Sequence, residues 1–246
     1  MFNYLIKIEY DGSKFVGWQS QKNGISIQEK IEKVLKKIFK KNIKINGAGR
    51  TDKGVHAYGQ FANFFVDNKI VDKKKFLNTI NFFLVKNLIS IIEVKEKNKE
   101  FHARHCAKER IYEYRITNRQ GSLSLDRFKS WHIKKKINFN ILKEGAKTLV
   151  GTHDFSTFRA ASCSSKSAVK KLNSVKIKKK GDKIYIKFSS RSFLQNQVRS
   201  MVGSLRYLSI GKWSLMDFKK VLKSKKRASC APPAPACGLY LLNVKY

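Results

Sequence analysis

Apolar residues recur along the chain with two different periods, and these periods predict a series of strands and helices. Alternating or short continuous apolar runs predict strands at residues 4–10, 43–45, 60–66, 88–94, 110–117, 174–180, 184–189 and 239–244. Apolar residues spaced three and four apart predict helices at residues 26–40, 73–84, 140–150, 194–208 and 215–222. Because both kinds of element occur in each half of the chain, the pattern predicts two α/β halves.

Local signals mark some of the element ends. Ser26, followed three positions later by Glu29, has the spacing of a capping box that starts a helix. Gly181-Asp182 lies between two alternating runs and predicts a hairpin turn. We place the N-terminal half at residues 1–104 and the C-terminal half at residues 105–246.

The charge balance narrows the class of partner. The chain has 53 Lys and Arg against 17 Asp and Glu, a formal charge of +36, which favours a polyanion, either a nucleic acid or an anionic membrane surface. Apolar residues make up 42% of the 246 residues, so the composition is that of a folded chain. Lys supplies 42 of the basic residues and Arg only 11, and the abundance of Lys together with Asn and Ile is expected of an A/T-rich genome. The scarcer Arg residues are therefore the more informative cations.

Cysteine usage and the first residues bear on the compartment. The four cysteines show no C-x-x-C spacing, so we expect free thiols in a reducing cytoplasm. Lys7 and Glu9 interrupt the apolar run that a signal peptide would need. No segment approaches the 18 or more apolar residues of a membrane span, so we expect no membrane insertion.

The densest glycine segment, residues 47–57, presents one carboxylate in a basic loop. It lacks the Gly-Lys-Ser/Thr of a phosphate loop and the third glycine of a dinucleotide fingerprint. Asp52 lies close to Arg50 and beside Lys53, and cations lower the pKa of a neighbouring carboxyl group, which keeps it ionised as a nucleophile or base. The alternative is a structural Asx-turn, in which the Asp52 side chain bonds its own backbone.

A second group of candidates surrounds the start of the predicted strand at residues 110–117. Tyr112 and Tyr114 lie on one face of that strand, where an aromatic ring next to arginine can hold an unstacked base. Alternatively both tyrosines are half-buried sheet residues. His102, His105 and Cys106 suggest a metal, but a fourth ligand at a useful spacing is missing, so no metal site is predicted.

The third candidate is Arg199, which interrupts an apolar helix start beside Val198. A cation so near a core implies a carboxylate partner, and Asp52 is the candidate we choose. The alternative is an arginine that extends to solvent along its apolar stem.

Several segments of the sequence resemble a known family. Residues 49–57, GRTDKGVHA, resemble the catalytic motif of the tRNA pseudouridine synthase A family. Further segments resemble family signatures in family order: residues 9–19, 101–104, 151–155, 193–205, 231–233 and 238–241. The resemblance covers essentially the whole chain. The sequence departs from it at Lys53, where many relatives have a small Ala, and at residues 234–237, which slightly lengthen the approach to Gly238.

The resemblance implies an enzyme that isomerises uridines 38, 39 and 40 in the anticodon stem-loop of tRNA to pseudouridine, with no cofactor and no metal. In the matching positions Asp52 looks like the catalytic aspartate and Tyr112 like the tyrosine that contacts the target base. Arg199 resembles the cation that pairs with the aspartate, and Arg50 the arginine that helps the base flip out. The implied fold is α+β, a mixed and mainly antiparallel sheet flanked by helices with the active-site cleft between the halves. The implied partners are tRNA and a second copy of the chain in a homodimer.

Two other classes stay open on the residues alone. A non-catalytic RNA-binding protein would need only the charge and the paired tyrosines, and it predicts that Asp52→Asn leaves all activity intact. A membrane-surface protein would need an exposed basic amphipathic helix. Residues 26–40 have that pattern, but their apolar face is better used to cover a sheet.

Overall fold

A computed structural model describes residues 1–21 and 24–246. The chain forms two compact units: unit 1 comprises residues 1–108 and 240–246, and unit 2 comprises residues 109–239. The C-terminal strand thus belongs to unit 1, whereas the sequence-based boundaries placed it in the C-terminal half.

The described residues form ten strands and five α-helices. The strands are β1 (Phe2–Tyr10), β2 (Asn46–Gly47), β3 (His56–Val66), β4 (Ile89–Lys97), β5 (Glu109–Asn118), β6 (Trp131–Ile133), β7 (Gly151–Asp154), β8 (Val169–Lys180), β9 (Lys183–Ser190) and β10 (Leu239–Lys245). The helices are α1 (Ile27–Phe39), α2 (Lys73–Leu84), α3 (Phe139–Lys147), α4 (Gln197–Ser209) and α5 (Leu215–Ser224).

Unit 1 is a sheet with two helices. Its strands follow the order β4-β1-β3-β10, all neighbours being antiparallel except the parallel pair β3 and β10, and β2 adds to β3. The helices bury their apolar faces through two sets of side chains: Ile27, Ile31 and Leu35 of α1, and Phe76, Ile80 and Leu84 of α2. These buried faces explain the three- and four-residue spacing in the sequence.

Both helices of unit 1 begin at a side-chain cap. The Ser26 hydroxyl accepts from the Glu29 N–H at 3.1 Å, and the Asp72 carboxylate accepts from the Lys75 N–H at 2.8 Å. The Glu29 carboxylate lies 2.6 Å from the Lys33 ammonium one turn further on. The predicted cap at Ser26 is therefore present, while the glutamate forms an i,i+4 ion pair.

Unit 2 contains five strands and three α-helices. Its strands follow the order β5-β9-β8-β7 and are antiparallel, and the short β6 pairs parallel to β5. Helix α3 contacts both α4 and α5. The approach of α3 to α4 is close at Gly145, where an added Cβ would lie 2.3 Å from Leu208 Cδ2.

The predicted mixed, mainly antiparallel sheet flanked by helices is confirmed. Several local predictions were wrong, including the end of α3, which lies at Lys147 and not at residue 150. Residues 43–45 are not a strand, because the Ile45 N–H donates to the Glu32 carboxylate at 3.1 Å instead of to a ladder. Helix α4 begins three residues later than predicted, and the strands β6 and β7 were missed because they are short. Within residues 1–21 and 24–246, no helix is long and apolar enough to cross a membrane.

Candidate active site

The loop that carries Asp52 connects β2 to β3, and β3 itself holds it from one side. We call residues 48–55 the Asp52 loop. The Ala48 N–H donates to the Phe61 carbonyl at 2.7 Å, and Gln60 Nε2 donates to the Gly49 carbonyl at 2.7 Å. The Val55 N–H donates to the Asp52 carbonyl at 3.1 Å and closes the turn. Gln60 is fully buried, so these bonds are shielded from competition with water.

The segment that follows β1 holds the Asp52 loop from the other side. The Trp18 N–H donates to the Thr51 carbonyl at 3.0 Å, and the Tyr10 and Thr51 hydroxyls are hydrogen-bonded at 2.7 Å. Gly17 and Asp52 form an isolated antiparallel bridge. The position of Asp52 along the backbone is therefore fixed from two directions.

Two glycines allow this close approach. A Cβ on Gly12 would lie 1.9 Å from the Val55 carbonyl oxygen, and one on Gly17 would lie 2.6 Å from the Thr51 carbonyl oxygen. Gly17 also has φ +123°, a conformation that side chains with a Cβ rarely adopt. Any larger residue at either position would have to displace the Asp52 loop.

A buried histidine joins the end of the Asp52 loop to the same segment. His56 is the first residue of β3, and its Nδ1 accepts from the Gly12 N–H at 3.2 Å and lies 3.1 Å from the Asp11 carboxylate. The Asp11 carboxylate accepts from the Ser13 N–H at 3.0 Å and from the Ser13 hydroxyl at 2.7 Å. The His56 ring stacks on the Tyr240 ring, with centroids 4.8 Å apart. His56 therefore acts as an internal link at the base of the loop.

The exposure of the loop residues suits a reactive carboxylate. Asp52 is half-buried, whereas Arg50 and Lys53 are exposed. Thr51, between Arg50 and Asp52, is buried at 7% exposure. The backbone is thus anchored inside the unit while two cations stay available to an anionic ligand.

In unit 2 the two tyrosines of β5 have different environments. Tyr114 is fully buried, its hydroxyl donates to the Pro235 carbonyl at 2.7 Å, and burial raises its pKa well above the usual value. An added Cβ on Gly238 would lie 2.6 Å from the Tyr114 ring. Tyr114 is a core residue and cannot stack on a base.

Tyr112 lies nearer the start of β5 and has a different environment. It is 7% exposed, and its ring meets that of Phe193 edge to face, with centroids 5.2 Å apart and planes at 86°. Phe193 itself is half-buried and precedes α4. The pair forms an aromatic wall in which Tyr112 keeps a small accessible edge.

Arg199 occupies the first turn of α4. The helix is preceded by Asn196 in the left-handed conformation, φ 61°, and the Leu194 N–H donates to Gln197 Oε1, which explains the late helix start. Arg199 Nε donates to the Ala234 carbonyl at 2.8 Å and Nη1 donates to Asn196 Oδ1 at 3.0 Å. The guanidinium is held by protein acceptors and does not simply extend to solvent.

The histidines near residue 102 contact each other and Cys106. The rings of His102 and His105 lie 4.4 Å apart, and Cys106 Sγ accepts from the His102 N–H at 3.4 Å. Burial and the neighbouring His105 lower the pKa of His102. Across residues 1–21 and 24–246, no three His, Cys, Asp or Glu side chains converge as metal ligands.

Sequence reasoning missed the residues that hold the Asp52 loop. Tyr10, Gly12 and Gly17 lie in the motif at residues 9–19, and His56 lies in the motif at residues 49–57. Nothing in the spacing of one chain indicates that these two motifs contact each other. The only signal was that both segments resemble signatures of the same family.

Comparison with known proteins identifies the family of the chain. A family model described as tRNA pseudouridine synthase matches residues 6–105 and 146–246. A protein from Pelagibacter ubique is 52% identical over 246 residues, covering all of both chains. Relatives from Maricaulis maris and Neorickettsia sennetsu are 42% and 39% identical, the first covering 100% of this chain and 98% of its own, the second 99% of both.

These matches define the class. The chain belongs to the tRNA pseudouridine synthase family, which is a family of isomerases. Within it, these three relatives carry the name tRNA pseudouridine synthase A.

Proposed function

We propose that this chain converts uridines 38, 39 and 40 in the anticodon stem-loop of tRNA to pseudouridine, with Asp52 as the catalytic carboxylate. The observation that carries the proposal is the Asp52 loop, a half-buried carboxylate on a backbone fastened from two sides, in a chain of this family. Catalytic groups need such fixed placement, because a displacement of about 1 Å can cost about a hundredfold in rate.

The reaction is an isomerisation. The bond between N1 of uracil and C1′ of the ribose breaks, the detached uracil turns, and C5 bonds to C1′. The C5 proton is lost and N1 gains a proton, so atoms and electrons balance with no redox change and no group donor. This chemistry requires neither a cofactor nor a metal.

Asp52 acts in its ionised form. Asp52 has three alternative roles, and each needs the same ionised carboxylate: attack on C1′, attack on the base, or removal of a proton from the ribose. A side chain that is only half-buried remains reachable by a nucleotide extruded from its stem. Extrusion costs a few kcal/mol, and contacts to the flipped base and to phosphates offset that cost.

The other proposed site residues bind the substrate. Tyr112 contacts the target base, and its edge-to-face partner Phe193 fixes the ring for that contact. Arg50 is exposed and suited to help the base flip out. Arg199 is the cation that balances the catalytic carboxylate, and its bonds to Ala234 and Asn196 hold the guanidinium in one orientation. We also propose that the enzyme is a cytoplasmic homodimer.

The test is pseudouridine formation on an unmodified tRNA transcript with uridines at 38, 39 and 40, without added metal or nucleotide. Wild-type enzyme should modify these positions, and Asp52→Asn should lower the rate by about 10³-fold or more while binding the tRNA as well as the wild type. Asp67→Asn is the matched control, because Asp67 is exposed and its carboxylate only forms a surface ion pair with Lys41.

Each outcome bears on the proposal. Full activity of Asp52→Asn, or modification at uridines other than these three, would contradict it. Tight binding by a wild type that modifies nothing would favour a non-catalytic RNA-binding protein.

A further inference from the structure

The outer face of the β8–β9 hairpin carries a dense array of cations outside the candidate active site. We call it the lysine face and define it by Lys176, Lys178 and Lys180 of β8 together with Lys183 and Lys187 of β9. Lys176, Lys178, Lys180 and Lys187 are exposed, and Lys183 is half-buried. These side chains project away from the buried face formed by Ile184, Ile186 and Phe188.

The strand register places like charges directly opposite each other. Lys176 lies opposite Lys187 and Lys180 lies opposite Lys183, while Lys178 lies opposite Tyr185. Directly opposed side chains have Cβ atoms about 4.5–5.5 Å apart, so these pairs repel. A repulsive array on a regular sheet face indicates that its counter-charge comes from another molecule.

The acidic residues around the lysine face leave most of its charge without a carboxylate partner. Asp126 lies 2.7 Å from the Lys183 ammonium, Glu113 lies 3.0 Å from Arg115 Nε, and Asp182 lies 3.1 Å from Arg119 Nη1. Among the described residues, no carboxylate lies within ion-pair distance of the other four lysines.

A small notch lies beside the lysine face. Its volume is about 40 Å³, and its lining includes Arg115, Lys129, Lys183 and Tyr185. The Tyr185 ring is half-buried, with the Arg115 guanidinium 6.0 Å from its centroid. The same lining includes the Asp126 carboxylate, which pairs with Lys183. The Tyr185 ring offers stacking for a base or ribose, and Arg115 and Lys129 offer contacts to phosphates.

We propose that the lysine face binds the phosphate backbone of the tRNA substrate, away from the residue that contacts the target base. This proposal rests on tRNA being the substrate, as proposed above. Tyr112 pairs with Phe188 on the buried side of the sheet, whereas Glu113 pairs with Lys187 on the outer side, so the lysine face lies on the opposite side of β5 from Tyr112.

Other occupants fit the lysine face less well. A second copy of the chain would bring the same positive charge against it. A membrane surface would be favoured by bulky exposed apolar residues among the cations, whereas the aromatic residue of this face, Tyr185, is half-buried. A nucleic acid matches both the charge and the ring.

The test is the salt dependence of tRNA binding by the triple variant K176Q/K178Q/K187Q. The matched control is K219Q/K220Q/K223Q on α5, which removes the same charge from exposed lysines of the same unit. The probe is an unmodified full-length tRNA transcript. We expect the slope of log K against log salt to fall by about 2 to 3 in the lysine-face variant, since each phosphate contact contributes about 0.7 to 0.9.

At low salt the Kd of the lysine-face variant should rise by about tenfold or more, and that of the control by less than about threefold. With saturating tRNA the kcat should equal that of the wild type, because the lysine face does not touch the reacting uridine. Circular dichroism verifies that both variants are folded.

Three results would overturn the proposal. Equal losses of tRNA affinity in the two variants would reflect net charge alone, and an unchanged slope of log K against log salt would show that the lysine face contacts no phosphates. If the lysine-face variant lost binding to phosphatidylserine vesicles but kept tRNA binding, the face would belong to a membrane contact. The binding measurement involves no turnover, so it stands even if Asp52 is not catalytic or other uridines are modified. Failure of the proposed function would appear only in the modification assay.

Discussion

The Asp52 loop and the lysine face are both polar and basic in sequence, but they differ in how tightly the fold holds them. The loop is held by backbone and buried side-chain hydrogen bonds, and two glycines permit contacts that any Cβ would prevent. The lysine face is a regular sheet surface whose charges repel one another. Chemistry on one nucleotide needs a group at a fixed position, whereas capture of a polyanion needs only a field. Substitutions that move the Asp52 loop should therefore lower kcat, and substitutions that remove lysines should weaken tRNA binding.

Among variants that leave every charge in place, the largest effect should come from moving the Asp52 loop. Gly17→Ala places a Cβ about 2.6 Å from the Thr51 carbonyl and 3.3 Å from the Asp52 carbonyl carbon, so the loop must shift. We expect kcat to fall about a hundredfold, because a displacement of a catalytic group by about 1 Å can cost that much in rate. The salt dependence of tRNA binding should stay as in the wild type. Steady-state kinetics at saturating tRNA measure this kcat.

The control for Gly17→Ala must be a glycine that also has a positive φ but whose added Cβ would meet no neighbouring atom. Gly211 follows α4 with φ +75° and has open space where a Cβ would stand, so Gly211→Ala should lose stability but keep kcat. A folded Gly17→Ala enzyme with wild-type kcat would show that the position of the loop does not limit the reaction.

A smaller effect should follow from removing one hydrogen bond beneath the loop. Tyr10→Phe leaves the buried Thr51 hydroxyl without its 2.7 Å partner, which costs about 1–3 kcal/mol of unfolding free energy and lowers kcat about tenfold or less. Urea unfolding and the same kinetics measure the two quantities.

The double variant Tyr10→Phe/Thr51→Val sharpens this prediction. Replacing both partners by apolar groups removes the unsatisfied hydroxyl, so part of the lost stability should return. Strictly additive losses in the double variant would mean that the two hydroxyls do not act as a pair.

Much of the fold could be predicted from sequence, because several elements carry their own signals. Helix α2 was predicted with its observed bounds, and the β8–β9 turn falls at Gly181-Asp182 as expected. Two of the errors arose where a side chain took the backbone hydrogen bond that the pattern assigned to regular structure. The Glu32 carboxylate does this at Ile45, and the Gln197 amide does it at Leu194.

The candidate site was less accessible to sequence reasoning. The pattern placed Tyr112 and Tyr114 on one face, and only the structure shows that Tyr114 is fully buried and bonded to Pro235. The contact of Gly17 with Asp52 joins segments about 35 residues apart, and no local propensity encodes such a contact. The roles of Asp52, Arg50, Tyr112 and Arg199 remain predictions from resemblance and chemistry.

The smallest effect concerns the stability cost of the lysine face itself. Lys176 lies opposite Lys187, so Lys176→Gln should stabilise the folded protein by about 0.2–1 kcal/mol, an increase in Tm of up to about 4 °C at low salt. Lys41→Gln should act in the other direction, because Lys41 pairs with Asp67 at 2.5 Å. The gain should vanish near 1 M salt, where screening acts over about 3 Å. Calorimetry at low and high salt measures both variants, and a Tm of Lys176→Gln below that of the wild type would contradict the repulsion. A variant that is more stable yet binds tRNA less tightly would show that the repulsion is retained for binding and not for folding.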